Sequence, residues 1–113
     1  MLFLLTATLG LAADVTGKWQ FRDVGRAIAT TSTMDLKQDG EKVSGTYSGQ
    51  LGEASVTGTV KGSDIDIVFE ASPTGGEKLT VRYTGTLEGD KKITGSVSVG
   101  GLGNKGSFTA EKQ

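Results

Sequence analysis

The chain has 113 residues, of which about 100 follow an apolar N-terminal leader, and this length suits one domain. It contains no His and no Cys, which excludes a disulfide, a thiolate nucleophile, a histidine base and a His/Cys zinc site. Twelve basic and thirteen acidic residues give a net charge of −1, so no excess positive charge favours nucleic acid as a partner. Eighteen Gly, a single Pro and 6% aromatic residues are typical of a turn-rich all-β domain.

The leader, residues 1–13, reads MLFLLTATLGLAA and is uncharged, mostly apolar and ends in small residues. It resembles a secretory signal peptide, although no Lys or Arg precedes the apolar run. The run is shorter than the roughly 20 residues that a membrane-spanning helix needs, so no membrane span is expected. We predict a signal peptide over 1–13, a single domain over 14–113, and a periplasmic or secreted location. The alternative is that the leader forms a strand or helix packed on the domain.

After the leader, apolar and polar residues alternate in short runs bounded by Gly- and Asp-containing turns, which is the pattern of half-buried strands. The sequence predicts eight strands: 17–23, 27–37, 42–48, 54–61, 64–71, 78–88, 91–99 and 106–112. A meander with one apolar face buries that face by closing into a barrel or folding into a sandwich. We predict the barrel: an all-β, eight-stranded, antiparallel, up-and-down β-barrel closed between its first and last strands.

The alternation assigns the large apolar residues to one inner face. These residues are Trp19, Phe21, Met34, Leu36, Val43, Tyr47, Val56, Val60, Ile65, Ile67, Phe69, Leu79, Val81, Tyr83, Leu87, Ile93, Val97, Val99 and Phe108. Thr, Ser, Lys, Asp and Glu fill the outer face. The inner face is therefore predicted to be apolar, with no buried charge.

The connections between the predicted strands alternate in length along the chain. Three are short polar turns, at 39–40, 62–63 and 89–90. Four are expected to be longer and richer in Gly, at 23–26, 49–53, 72–77 and 100–105. Alternate connections of a meander lie at opposite ends of a barrel, so the longer ones are predicted to frame a mouth.

The segment Val15-Thr16-Gly17-Lys18-Trp19 resembles the Gly-x-Trp opening of lipocalins and avidin-type barrels, which together are called calycins. The resemblance implies that Trp19 lies at the closed end of the barrel, with a basic side chain of the last strand across it. Lys112 has inward parity and is expected to take that position, where those families usually have Arg. Gly17, Trp19 and Lys112 are thus assigned to the closed end. Biotin is not expected as a ligand, because the chain has one Trp and the avidin pocket has several.

Five glycines fall on the inner face of predicted strands: Gly45, Gly58, Gly85, Gly95 and Gly106. Glycine inside a strand costs roughly 0.5–1 kcal/mol relative to Ala, so its repetition indicates a compensating role. One role is geometric, because small residues let a coiled sheet bend and close. The other is functional, because missing side chains leave space for a ligand.

The residues predicted to contact a ligand are Met34, Tyr47, Phe69, Tyr83 and Phe108, with Arg26 at the mouth. Two further inward residues, Thr30 and Ser32, or the ligand itself, are expected to satisfy the tyrosine hydroxyls. Asp23 and Glu53 are interpreted as exposed charges at the mouth, and no inward carboxylate pair is predicted for acid–base chemistry.

These features predict an exported, monomeric, non-catalytic barrel without cofactor or metal that binds a small apolar or neutral molecule. An alternative is a protein-interaction domain with a packed interior, whose partner is contacted by Leu51 and Leu102 on the connections. A third is an enzyme that guides a reactive intermediate by shape alone. The size of the interior cavity separates the first two hypotheses.

Overall fold

The computed structural model describes residues 14–25, 28–72, 78–89, 91–100 and 104–113. Eight strands are formed: β1 (Gly17–Gly25), β2 (Ile28–Asp39), β3 (Lys42–Gly49), β4 (Gly52–Lys61), β5 (Asp64–Ala71), β6 (Leu79–Glu88), β7 (Lys92–Val99) and β8 (Asn104–Lys112). Each pairs antiparallel with the next in the chain, and β1 pairs with β8, which confirms the closed up-and-down barrel. No helix able to cross a membrane occurs in the described part of the chain.

Burial follows the alternation along each strand. The large apolar residues assigned to the inner face are buried, except for Leu79 and Val99, which are half-buried. Trp19, Phe21 and Ile93 are wholly inaccessible to solvent. A face of this kind is stabilised by the removal of apolar surface from water, at about 25 cal/mol per Å².

The prediction of four long connections is wrong at two places. The β1–β2 connection consists of residues 26–27, and the β3–β4 connection is a tight turn of Gln50 and Leu51. β1, β3 and β4 extend further toward these connections than predicted, because Gly25, Gly49 and Gly52 stay in the ladder and pair with the opposite strand. The β5–β6 and β7–β8 connections are longer, as predicted. We call the end of the barrel that carries these four connections the open end.

The opposite end, which we call the closed end, is organised around Trp19. Its indole Nε1 donates a hydrogen bond to the carbonyl of Val15 at 2.8 Å, and Val15 is itself fully buried. The Lys112 ammonium lies 5.7 Å from the centroid of the Trp19 ring and donates to the Asp14 carbonyl at 3.2 Å. Gly17 has φ 138°, and a Cβ there would approach the Lys112 stem to 3.2 Å. The strand parity of Lys112 predicts this contact with Trp19.

Candidate binding site at the open end

Five aromatic rings pack together inside the barrel toward the open end. The Tyr47 and Phe69 rings stack with centroids 4.3 Å apart, and Phe69 lies 6.3 Å from Tyr83. Phe108 meets Tyr83 edge-on at 5.0 Å, and Phe21 lies 5.2 Å from Tyr83. We call these five residues the aromatic cluster; contacts of this kind add roughly 0.5–1.5 kcal/mol beyond area burial. The structure thus brings four of the predicted ligand-contact residues together.

The other predicted contact residues are placed differently. Met34 is 1% exposed and pairs in register with both Trp19 and Tyr47, so it joins the closed end to the aromatic cluster. Arg26 lies outside the described residues, as do Leu102 and the leader. Phe21 belongs to the aromatic cluster, although the sequence analysis assigned it only to the inner face.

Asp23 corrects the prediction that the interior holds no buried charge. Asp23 lies in β1, two residues before the strand ends, and it has the same inward parity as Trp19 and Phe21 and is half-buried. The Tyr83 hydroxyl donates a hydrogen bond to Asp23 Oδ2 at 2.6 Å. Tyr83 therefore finds a carboxylate as its partner, where Thr30, Ser32 or a ligand was expected. Extending the alternation of Trp19 and Phe21 by two residues, within the predicted strand 17–23, would have revealed the inward position of Asp23.

Burial shifts the pKa values of the groups around this carboxylate. Desolvation raises the pKa of Asp23, and the hydrogen bond from Tyr83 partly opposes that rise. The pKa of Tyr83 is raised far above its ordinary value, first by burial and then by the Asp23 charge. Burial likewise raises the pKa of Tyr47, with a smaller contribution from Asp23. Both tyrosines are consequently neutral hydroxyl groups at physiological pH.

Ser32 completes a small polar group within the aromatic cluster. Its side chain is 6% exposed, and its hydroxyl lies close enough to both tyrosine oxygens to lower their pKa, yet meets neither in hydrogen-bond geometry. The Tyr47 hydroxyl accepts a long bond from the Leu51 N–H at 3.4 Å. Asp23 Oδ1 and Ser32 Oγ are buried, and no described residue forms a hydrogen bond with either. We call Asp23, Ser32, Tyr47 and Tyr83 the polar group.

The inward glycines allow neighbouring strands to approach closely, and they do not line an empty space. A Cβ at Gly58 would overlap the carbonyl oxygen of Asp66, and one at Gly95 would overlap that of Thr84. The remaining inward glycines face similarly close atoms of a neighbouring strand: Gly45, Gly85 and Gly106. The interpretation that missing side chains leave a ligand cavity is therefore wrong at these positions, because neighbouring backbone occupies the space.

Two hollows lined by described residues open to the outside of the barrel. One, of about 460 Å³, lies over β4 to β7 and is lined by outward polar side chains such as Thr59 and Thr84. Another, of about 500 Å³, lies beside the β3–β4 turn and includes Tyr47 and Glu53. Neither of these two hollows is lined by Phe21, Phe69, Tyr83 or Phe108, whose rings pack against one another inside the barrel.

Two kinds of catalytic arrangement can be checked against the described residues. Asp23 is the one carboxylate among the described strand residues with inward parity, so no second carboxylate complements it for glycoside chemistry. Among the same residues, no group of three His, Cys, Asp or Glu could hold a metal ion. The arrangement provides apolar contact, two neutral hydroxyls and one carboxylate that accepts hydrogen bonds.

Comparison with known proteins identifies similar folds but no family for this chain. No protein-family model matches the chain, and no curated protein matches it. Three solved structures are similar in fold. The redesigned β-barrel mFAP0, bound to DFHBI, has a TM-score of 0.64 and is 14% identical in sequence. The match covers 88% of this chain and 98% of that chain. mFAP1 bound to DFHBI has a TM-score of 0.61 at 11% identity, and EF1p2_mFAP2b bound to DFHBI has 0.60 at 12%; each covers 88% of this chain and 94% of its own. These TM-scores show that the chain shares its β-barrel fold with the three structures.

Proposed function

We propose that this protein is an exported, non-catalytic β-barrel that binds a small, largely apolar molecule at its open end. The observation that carries the proposal is the aromatic cluster beneath the open end, together with buried oxygens of the polar group that have no partner among the described residues. Apolar walls with a few convergent polar atoms are the usual composition of a small-molecule site. The redesigned barrels of the same fold, each bound to DFHBI, support the proposal by analogy.

A neutral apolar probe tests the proposal directly. The purified domain is titrated with N-phenyl-1-naphthylamine, and binding is followed by probe emission. We expect saturable binding in the wild type and its loss in Thr30→Trp, because Thr30 is a half-buried inward residue beside Asp23 at the open end. Thr31→Trp, on the outer face of the same strand, is the matched control and should retain binding. Absence of saturation in the wild type would contradict the proposal.

A protein-interaction domain is the second candidate, and the close packing of the aromatic rings inside the barrel favours it. Among the described residues near the open end, Val24 supports it with 48% of its surface exposed, whereas Leu51 in the β3–β4 turn is partly buried against the core. If the protein is an interaction domain, the apolar probe should fail to bind. Val24→Ser should then leave the stability of the barrel unchanged and remove its association with the partner. The redesigned barrels bound to DFHBI favour the small-molecule hypothesis over this one.

Export is proposed from the apolar segment 1–13 that precedes Asp14. Expression of the whole chain in a bacterial host, followed by mass spectrometry of the product in the periplasm or medium, tests this. We expect a mature protein that begins at Asp14. A cytoplasmic product that keeps residues 1–13 would contradict export without bearing on the binding proposal.

A further inference from the structure

We propose that Asp23 Oδ1 and Ser32 Oγ form a subsite for a protonated amine carried on the apolar body of the ligand. This inference rests on the proposed binding function and specifies the chemistry of the ligand. The two oxygens belong to side chains that reach the same polar group from neighbouring strands β1 and β2.

The burial of these atoms is the first argument. Ser32 is 6% exposed, and Asp23 Oδ1 is shielded from solvent although the residue as a whole is half-buried. Neither forms a hydrogen bond with another described residue. A buried polar atom without a partner destabilises a protein, and an unpaired buried charge does so more strongly. A donor from a ligand would remove both penalties.

The second argument concerns how the Asp23 carboxylate is already used. Oδ2 is occupied by the Tyr83 hydroxyl, which fixes the carboxylate and leaves Oδ1 as the available acceptor. Tyr83 donates its proton there, so the bond supplies a dipole but no compensating positive charge. The ion pairs formed by described residues, Lys78–Glu70 and Arg82–Asp66, do not include Asp23.

The third argument is the surroundings, which suit a cation better than a neutral donor. The Tyr83 and Phe108 rings lie 5.0 Å apart beside the carboxylate, and Asp23 pairs in register with Phe108. A cation gains from nearby aromatic faces as well as from the carboxylate, and these attractions strengthen when water is excluded. An anionic ligand would be repelled at the same place.

Gly49 packs closely against the polar group. A Cβ there would lie 2.6 Å from Ser32 Cβ and 2.7 Å from the Tyr47 hydroxyl, so a side chain at this position would press on the polar group. Only glycine therefore fits at position 49 without displacing Ser32 or Tyr47.

Three probes with the same naphthalene body test the inference: 1-naphthylmethylamine, neutral 1-ethylnaphthalene and anionic 1-naphthylacetate. Their dissociation constants are measured by calorimetry at pH 7. We expect the amine to bind roughly tenfold or more tightly than the neutral probe, as a charge-assisted hydrogen bond implies, and the anion to bind most weakly. Equal binding of the amine and the neutral probe would overturn the subsite while leaving the proposed function intact. Failure of all three to bind would contradict both.

Variants locate the preference for the amine. Asp23→Asn is expected to abolish the preference for the amine over the neutral probe, and Ser32→Ala to reduce it. Asp35→Asn removes a carboxylate from the exposed outer face of β2 and serves as the matched charge control. An amine preference that survives Asp23→Asn, or that is lost equally in Asp35→Asn, would overturn the assignment. Ser32→Ala supplies an independent test that leaves the carboxylate in place.

Discussion

The hydroxyl of Tyr83 and the carboxylate of Asp23, 60 residues apart in the chain, form a 2.6 Å hydrogen bond across the interior of the barrel. Tyr83 lies on β6 and Asp23 on β1, and these strands are not neighbours in the sheet. The bond therefore joins two non-adjacent strands across the interior and orients the carboxylate at the open end.

Loss of this bond is expected to destabilise the barrel. Tyr83→Phe keeps the ring packing but leaves Asp23 Oδ2 without its donor, which should lower the free energy of unfolding by about 1–3 kcal/mol. Urea unfolding at pH 7 measures the change. Tyr47→Phe is the matched control, because the Tyr47 hydroxyl only accepts a 3.4 Å bond from Leu51, and a smaller loss is expected there. Equal losses in the two variants would argue against a special role for the Tyr83–Asp23 bond.

Asp23 is expected to make stability depend on pH. Burial raises its pKa above the ordinary value of 3.8, so folding favours the protonated form. Its stabilising contribution is fully present below the unfolded pKa and is lost as the pH rises through the folded pKa. The Tm of Asp23→Asn minus that of the wild type should therefore increase as the pH rises from below 3.8, and then level off. Thermal melts of both proteins from acid to neutral pH check this, and a difference that decreases over this range would contradict the stated direction.

The contact between Lys112 and Trp19 is expected to contribute modestly to stability. Lys112→Met keeps most of the apolar stem but removes the cation 5.7 Å from the ring, and should cost about 0.5–1 kcal/mol with a change in indole emission. Denaturation followed by Trp19 fluorescence measures both effects. Lys92→Met, at an exposed position on β7, should change neither. If Lys112→Met behaves like this control, the cation adds nothing to the closed end.

The inward glycines are expected to reject even a methyl group. Gly58→Ala places a Cβ against the Asp66 carbonyl and the Ile67 Cα, and should cost typically about 1–3 kcal/mol through overpacking. Gly25→Ala is the matched control, because its nearest contact would be an ordinary 3.7 Å, and it should be neutral or slightly stabilising. Chemical denaturation compares the two. A neutral Gly58→Ala would indicate that the neighbouring strands yield easily at this position.

The sequence alone predicted the strands, their order and their inward faces, because alternation of apolar and polar residues is a local property with a period of two. The placement of Lys112 beside Trp19 followed from the same parity. Strand ends were less predictable: glycines such as Gly25 and Gly49 signal turns in a sequence, yet here they remain paired in the ladder.

Only the tertiary structure determined which groups meet inside the barrel toward the open end. Whether inward glycines leave a cavity depends on how closely neighbouring strands approach, and this approach is set by the coiling of the whole sheet. The partner of Tyr83 depends on which residues face each other across the closed barrel, and no local pattern encodes a contact between β1 and β6. Asp23 thus changes from a presumed surface charge to a half-buried acceptor because barrel closure brings Tyr83 to it.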